Sequence, residues 1–236
     1  MLARGNFKVG SIAKGRHRLK SMPLGRLGTQ NSELETMYTY AKPDTLIAAA
    51  LAPLDWTRAV SLVVAFSLLT ALAAQIVIPI GPVPATAQTF AVLLTGALLG
   101  SRLGAMAMIV YLIEGASGLP FFYGGSSGIA HLLGPTGGYL IAFPAAAFIT
   151  GAFAEHGWDK RFLTAAASMA IGSVVIMLSG WVWFALITNT SLSVVFQTTV
   201  LKLIPGDIIK ILLAAAALPS GWALLRRKGP QKPESN

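Results

Sequence analysis

The stretch from Ala59 to Leu225 contains so few charged side chains that it cannot cover a water-soluble domain with polar surface. In the whole chain 54% of residues are hydrophobic and 11% are charged, whereas about 25% are charged in a typical soluble domain. A chain that crosses a bilayer must satisfy its backbone polar groups internally, as helices or as a closed barrel. Because the apolar runs have helical length, the sequence predicts an all-α integral membrane protein.

Six apolar segments follow one another along this stretch. They cover residues 59–80, 86–100, 103–118, 136–155, 162–188 and 200–225. A spanning helix needs about 20 residues, with a range of about 17–25. The first, fourth, fifth and sixth segments meet this length, and the shorter second and third are expected to pair as a hairpin around Arg102. The sequence therefore predicts a six-helix membrane domain over residues 59–225.

The distribution of basic residues predicts the orientation of this domain. The segments assigned to the inside contain Arg102, Lys160, Arg161, Arg226, Arg227, Lys228, Lys232 and the basic N-terminal tail, whereas the outside loops at 81–85, 119–135 and 189–199 contain no Lys or Arg. Because cytoplasmic loops carry the excess of Lys and Arg, both termini are predicted to be cytoplasmic. The net charge of +9 thus flanks the membrane region and does not indicate a nucleic-acid partner.

The two ends of the chain differ in composition from the membrane domain. Residues 1–58 are basic and poor in apolar periodicity, which predicts a disordered extension, with a short interfacial helix near 44–52. Residues 226–236 are predicted to form a basic cytoplasmic tail. An organelle transit peptide or a translation start at Met22 or Met37 is an alternative for the beginning, so translation and function of residues 1–36 stay open.

Two ionisable residues, Asp207 and Lys210, lie within the sixth apolar segment. A charge near the bilayer centre costs about 2.5–3.5 kcal/mol even on insertion scales, so it needs a specific role. Positions i and i+3 share a helix face, so the two charges can neutralise each other in the bundle interior. The pair predicts a substrate or ion site in the outer half of the last helix. The alternative is a structural ion pair that fixes the register of two helices.

Two outside loops are rich in Gly and Pro yet apolar, namely residues 78–90 and 118–139. Pro and Gly prevent a continuous helix there, and apolar irregular backbone at membrane depth is tolerated where it lines a cavity. Glycine allows the backbone to approach a ligand closely. The loops therefore predict a ligand pocket; the alternative is a pair of tight turns with an interfacial belt of aromatic residues.

Several motifs in these loops and in the last helix occur in an order that is similar to one known family. They are Ala74-Gln-Ile76, Ile78-Pro-Ile-Gly-Pro-Val-Pro84, Gln88-Thr-Phe90, Gly118-Leu-Pro120, Gly134-Pro-Thr-Gly-Gly-Tyr139 and Pro205-Gly-Asp-Ile-Ile-Lys210. Over residues 59–225 the chain resembles the BioY family, the biotin-specific substrate-binding (S) components of energy-coupling-factor (ECF) transporters. The resemblance implies high-affinity capture and uptake of biotin in a bacterial cytoplasmic membrane. It also implies a transmembrane coupling protein and two cytoplasmic ATPase subunits as partners, beside membrane lipid.

The chemistry of biotin assigns roles to specific residues. Asp207 can accept from the ureido N–H groups, and Lys210 can donate to the ureido oxygen. Glu114 either lines the site or lies at the water interface. Further side-chain hydrogen bonds are expected from Gln88, Thr86 and Ser126. Backbone donors are expected from Gly124, Gly125 and Gly128, and apolar walls from Phe122, Tyr123 and Tyr139.

Several other functions are weighed against this one. The chain has no cysteine and three scattered histidines, so neither a cofactor nor a metal site is expected. Without a phosphate-binding Gly-x-x-x-x-Gly-Lys loop it cannot hydrolyse ATP itself, and a non-enzymatic transport subunit is predicted. The alternatives are a self-sufficient, proton-coupled secondary transporter and an S component for another vitamin. More remote is an intramembrane serine protease that uses Ser127 and His131.

Overall fold

The computed structural model describes residues 45–51 and 55–228. Residues 1–44 and 52–54 of the predicted N-terminal extension lie outside the described residues. Residues 229–236 of the predicted C-terminal tail do so as well. Ten α-helices follow in the described part. They are α1 Leu46–Leu51, α2 Trp56–Ala74, α3 Gln88–Leu99, α4 Ser101–Ala116, α5 Ile129–Leu132, α6 Gly137–Ile141, α7 Phe143–Glu155, α8 Phe162–Thr188, α9 Leu192–Val195 and α10 Leu201–Lys228.

Four helical stretches are long and apolar enough to cross a membrane. They are Trp56–Ala74, Gly137–Glu155, Phe162–Thr188 and Leu192–Leu225, and they correspond to the first, fourth, fifth and sixth predicted segments. The predicted hairpin of two shorter helices is present as α3 and α4, with its turn at Gly100 rather than at Arg102. The prediction of a helical, multi-pass membrane protein is therefore confirmed at this level.

The prediction of an all-α fold is incomplete, because a short antiparallel strand pair follows α2. The strands β1 Val77–Ile78 and β2 Ala85–Thr86 pair Val77 with Thr86 and Ile78 with Ala85. Since the prolines between them cannot continue a helix, α2 ends at Ala74 and not near residue 80. The chain then turns back on itself and brings β2 to the beginning of α3.

The predicted outside loop at 189–199 is also largely helical. Asn189 ends α8 in a left-handed conformation (φ 49°). The chain then continues through α9 and a π-helical turn at Phe196–Val200 into α10. The indole of Trp181 donates a hydrogen bond to the carbonyl of Leu192 at 2.8 Å. This contact holds α9 against α8 and explains why the segment does not form an open loop.

Helices α3, α4 and α7 pack closely because glycine lies where their backbones meet. A Cβ at Gly151 would overlap the backbone of Gly100 and Ser101, and a Cβ at Gly96 would overlap the carbonyl of Ala147. Glu155, at the end of α7, accepts hydrogen bonds from the backbone N–H and the hydroxyl of Ser101, at 2.7 and 2.8 Å. A carboxylate at a helix N-terminus stabilises that helix, so Glu155 caps α4 from the neighbouring helix.

A buried carboxylate joins the α7–α8 turn to the end of α10. Asp159 is 1% exposed and accepts a hydrogen bond from the indole N–H of Trp222 at 2.5 Å. The Lys160 ammonium lies 4.7 Å from the centre of the Trp222 ring. Burial raises the pKa of the Asp159 carboxyl above its ordinary value of 3.8, although Trp222 and Lys160 partly offset this effect.

Replacing Asp159 with asparagine should change how stability depends on pH. A carboxyl whose pKa is raised by folding stabilises the fold fully below its unfolded pKa, and this contribution is lost as the pH rises through the raised value. Asparagine keeps an oxygen for Trp222 and does not titrate. We expect the melting temperature of the wild type minus that of Asp159→Asn, measured at the same pH, to decrease between pH 4 and pH 7. Thermal unfolding in detergent measures this difference, and parallel curves would contradict it.

Candidate ligand-binding site

A cavity lies where β2, the start of α3, α6, α7, α8 and α10 meet. It holds about 530 Å³ of space between atoms, a volume that includes the open solvent at its mouth. Its lining consists of Val83, Pro84, Ala85, Thr86, Gln88, Thr89, Tyr123, Thr136, Tyr139, Leu140, Phe143, Ile176, Met177, Leu203, Asp207 and Lys210. Six predicted site residues, Thr86, Gln88, Tyr123, Tyr139, Asp207 and Lys210, are therefore brought together at one cavity.

The Asp207–Lys210 pair is held by polar residues of two other helices. The Lys210 ammonium lies 3.1 Å from Asp207 Oδ1 and donates to the hydroxyl of Thr89 at 2.8 Å. Ser173, in the middle of α8, donates to Asp207 Oδ2 at 2.6 Å, and Thr89 lies 3.3 Å from Oδ1. The pair therefore connects α3, α8 and α10 while it also lines the cavity.

The amide of Gln88 is fixed in orientation at the first turn of α3. The hydroxyl of Thr86 donates to Gln88 Oε1 at 2.9 Å, and Gln88 Nε2 donates to the hydroxyl of Tyr111 at 2.5 Å. Tyr111 is fully buried and donates in turn to the carbonyl of Phe121 at 3.0 Å. Each end of the amide keeps further hydrogen-bonding capacity, which is available to a ligand because Gln88 borders the cavity.

Tyr139 brings a polar group without a partner to the same cavity. Its side chain is buried and packs against Gly180, where a Cβ would overlap the ring. Within the described part of the chain, its hydroxyl has no hydrogen-bond partner. Buried polar groups are almost always hydrogen-bonded in native proteins, so this hydroxyl is suited to contact a ligand.

The remaining predicted site residues lie outside the cavity wall. Phe122 is 0% exposed and packs against Gly115, with its ring 5.2 Å from that of His131. Glu114, on α4, does not border the cavity, and its buried Oε2 has no partner among residues 45–51 and 55–225. The loop residues Gly124, Gly125, Ser126 and Gly128 also do not line it.

The glycine-rich part of this loop, residues 122–128, uses its polar groups mainly for contacts within itself and to α4. The N–H of Gly125 donates to the carbonyl of Phe122 at 3.2 Å, and the N–H of Gly128 donates to that of Gly115 at 2.8 Å. The hydroxyl of Ser126 donates to the carbonyl of Tyr123 at 2.6 Å. This loop thus supports Tyr123, its one residue on the cavity wall, and these groups already have protein partners.

Sequence reasoning missed Thr89, Ser173 and Tyr111. Each is a polar residue within an otherwise apolar helix, which was the available signal, but hydroxyls are common in such helices because they can bond to their own backbone. For the protease alternative, the ring of His131 contacts the hydroxyl of Thr136 at 3.4 Å and stacks on Phe122. In the part of the chain that the structure describes, no cluster of His, Asp and Glu could hold a metal ion.

Comparison with known proteins covers the whole membrane domain and not only the residues of the cavity. The family model described as the BioY family matches residues 41–227. The chain belongs to the BioY family. The family match begins before α1 and includes every helix of the described fold except the last residue of α10.

Individual BioY proteins and one crystal structure agree with this assignment. The probable biotin transporter BioY of Pyrococcus horikoshii is 47% identical over 154 residues, covering 65% of this chain and 89% of that protein. The biotin transporter BioY of Rhizobium etli is 35% identical over 177 residues, covering 66% of this chain and 94% of that protein. The crystal structure of the S-component for biotin from an ECF-type ABC transporter superposes with a TM-score of 0.67 and 25% identity, over 76% of this chain and 96% of that one. These relatives are transporters, and the chain is a transport subunit rather than an enzyme.

Proposed function

We propose that this chain binds biotin in the cavity described above and serves as the substrate-binding component of an ECF-type transporter. The observation that carries the proposal is the partly buried Asp207–Lys210 pair on the cavity wall of a BioY-family fold. The relatives named as biotin transporters and the crystallised biotin S-component support biotin as the ligand.

The hydrogen-bonding capacity left at the pair matches a ureido group. An ammonium has three N–H donors and a carboxylate has about four acceptor positions. Lys210 uses two donors, on Asp207 and Thr89, and Asp207 receives Ser173, Thr89 and Lys210. One donor and about one acceptor position therefore remain side by side. Because the pair is neutral as a whole, it favours a neutral ligand group with an adjacent N–H and C=O, which the ureido ring of biotin provides.

The rest of the cavity suits the apolar part of biotin. Tyr139 and Phe143 supply aromatic surface, and Ile176, Met177 and Leu203 supply aliphatic surface. Largely apolar walls with a few convergent polar groups are typical of small-molecule sites. The unpartnered hydroxyl of Tyr139 provides a further hydrogen bond for the bound molecule.

The finer architecture belongs to the same proposal. We infer six membrane-crossing helices, of which α3 and α4 are the two shorter ones and form a hairpin, and both termini in the cytoplasm of a bacterial cell. The absence of Lys and Arg from the three predicted outside loops supports this orientation. The cavity then faces the outside, and a coupling protein with two ATPases supplies the energy for release inside.

Calorimetry on the purified full-length chain in detergent tests the proposal. Biotin should bind at one saturable site, whereas riboflavin and thiamine should not. Desthiobiotin, which keeps the ureido ring, should bind about 10-fold more weakly than biotin, the lower end of the range of about 10–200-fold for a missing apolar group. The corresponding diamine without the ureido carbonyl should lose at least about 100-fold. Folded protein that binds another vitamin and not biotin would refute the assignment.

A secondary transporter of biotin is a second candidate, because Asp207 and Lys210 are ionisable groups within a membrane helix. Uptake into proteoliposomes that contain this chain alone distinguishes the two. The S-component proposal expects no accumulation driven by a proton gradient without the ATPases. Accumulation that follows the gradient would favour the secondary transporter.

A further inference from the structure

Two adjoining cavities lie at the other end of the bundle, around the turn from α7 to α8. One is lined by Phe148, Ile149, Ala152 and Phe153, the other by Gly157, Lys160, Arg161 and Thr164, and His156 and Trp158 border both. We call them the apolar groove and the basic compartment. Ile176 lies 14 residues after the start of α8, so at 1.5 Å per residue this end is about 21 Å from the ligand cavity.

The basic compartment carries positive charge that neighbouring carboxylates offset only in part. Among residues 45–51 and 55–225, neither Lys160 nor Arg161 forms an ion pair. Glu155 caps α4, and Asp159, which is buried on Trp222, offsets part of the charge of Lys160 over the same indole. No acidic residue pairs with Arg161 among residues 45–51 and 55–225. The compartment therefore offers cationic side chains to an anion from outside.

The start of α8 adds to this positive potential. The helix has 27 residues, and its N-cap, Arg161, makes no side-chain hydrogen bond to the first turn. The first N–H groups of a helix have no intrahelical partner and carry the positive end of the helix dipole. The hydroxyl of Thr164 is already donated to the carbonyls of Trp158 and Arg161, so the charge of the compartment comes from the basic side chains and the backbone.

The apolar groove runs along α7 directly beside the basic compartment. Residues 148, 152 and 156 are spaced four apart and share a helix face, and the small Ala152 leaves a depression between larger neighbours. The rings of Phe153 and Trp158 lie 4.5 Å apart and form the end of the groove next to the charge. A chain-like apolar group joined to an anionic group would match both cavities at once.

We propose that this double cavity binds an anionic phospholipid, with the phosphate headgroup in the basic compartment and an acyl chain in the apolar groove. A free phosphate ion would leave the groove unused. Basic residues at a membrane surface attract anionic lipids, and tryptophan is common at the headgroup level. The proposal does not depend on which ligand the distant cavity binds.

Quenching of Trp158 by brominated lipid tests the proposal. The full chain is placed in bilayers with a small fraction of dibrominated phosphatidylglycerol or of phosphatidylcholine with the same acyl chains. The chain has five tryptophans, so the signal of Trp158 is taken as the difference from a Trp158→Phe variant. Phosphatidylglycerol should quench this signal at a several-fold lower mole fraction than phosphatidylcholine.

Arg161→Gln should reduce that preference by about 5-fold, the effect of one basic residue near an anionic lipid surface. Arg102→Gln is the matched control: it removes the same charge at the same end of the bundle, next to Ser101 at the start of α4, outside both cavities. It should leave the preference unchanged, and binding of biotin should be the same in both variants.

Three results would overturn the proposal. Equal quenching by the two lipids would identify ordinary boundary lipid, and an equal effect of Arg102→Gln would identify a general attraction to the charged end. Loss of the preference when inorganic phosphate is added would identify a site for a free anion. Melting temperatures of all variants, measured in the same bilayers, establish that each is folded.

Discussion

Replacing Asp207 with asparagine should lower the affinity for biotin by about 100-fold. The asparagine has the same shape but no charge, so the Lys210 ammonium, 3.1 Å from Oδ1 in the wild type, loses its counter-ion in a partly buried position. Loss of one partner of a buried, hydrogen-bonded charge pair costs about 2–5 kcal/mol in binding. Calorimetric titration of the full-length variant with biotin measures this effect.

Glu114→Gln is the matched control for this experiment. Glu114 is a second acidic residue in a membrane helix, but it does not line the cavity, so its replacement should change the affinity by less than about 3-fold. The double variant Asp207→Asn, Lys210→Met should lose less affinity than the product of the two single-variant fold losses, because the two side chains interact directly. Small and equal losses for Asp207→Asn and Glu114→Gln would show that the ligand binds elsewhere.

Replacing Gly151 with alanine should destabilise the protein by about 3 kcal/mol, a large value for the addition of one methyl group. The new Cβ would overlap the backbone of Gly100 and Ser101, and a backbone cannot move aside as a flexible side chain can. Separation of α7 from α4 would also weaken the bonds from Ser101 to Glu155. Overpacking of this kind typically costs about 1–3 kcal/mol, and the weakened cap adds to it. We expect a fall in melting temperature of about 10 °C in detergent.

Gly206→Ala provides the corresponding control within α10. A Cβ at Gly206 would have no atom within 4 Å outside its own neighbourhood, and alanine favours the helix by about 1 kcal/mol. This variant should be as stable as the wild type or slightly more stable. A Gly151→Ala protein that melts together with the wild type would contradict the close packing of α4 and α7.

The sequence was informative about the fold where apolar length decides the structure. Segments such as 162–188, which is α8 in the structure, contain no competing signal. Prediction failed where short segments depend on tertiary contacts. Residues 77–78 and 85–86 pair only because the intervening prolines turn the chain back, and α9 is held by Trp181, which no local pattern reveals.

The candidate site was predictable for residues within one short motif and less so for the contacts between motifs. Asp207 and Lys210 are three positions apart, so helix geometry alone brings them together. Ser173 and Thr89 reach the same carboxylate from positions 34 and 118 residues away, and no periodicity encodes that. Phe122 was expected on the cavity wall, but its ring fills the space that Gly115 leaves and only the adjacent Tyr123 borders the cavity.

The small strand pair also has a consequence for the speed of binding. Val83, Pro84 and Ala85, in or next to β2, form one side of the cavity, and the pair consists of two residues on each side. An isolated two-stranded hairpin is only marginally stable, so this side should open at a small cost in free energy. We expect a ligand to enter and leave through opening of this hairpin, so a variant that stabilises the strand pair should slow both entry and release.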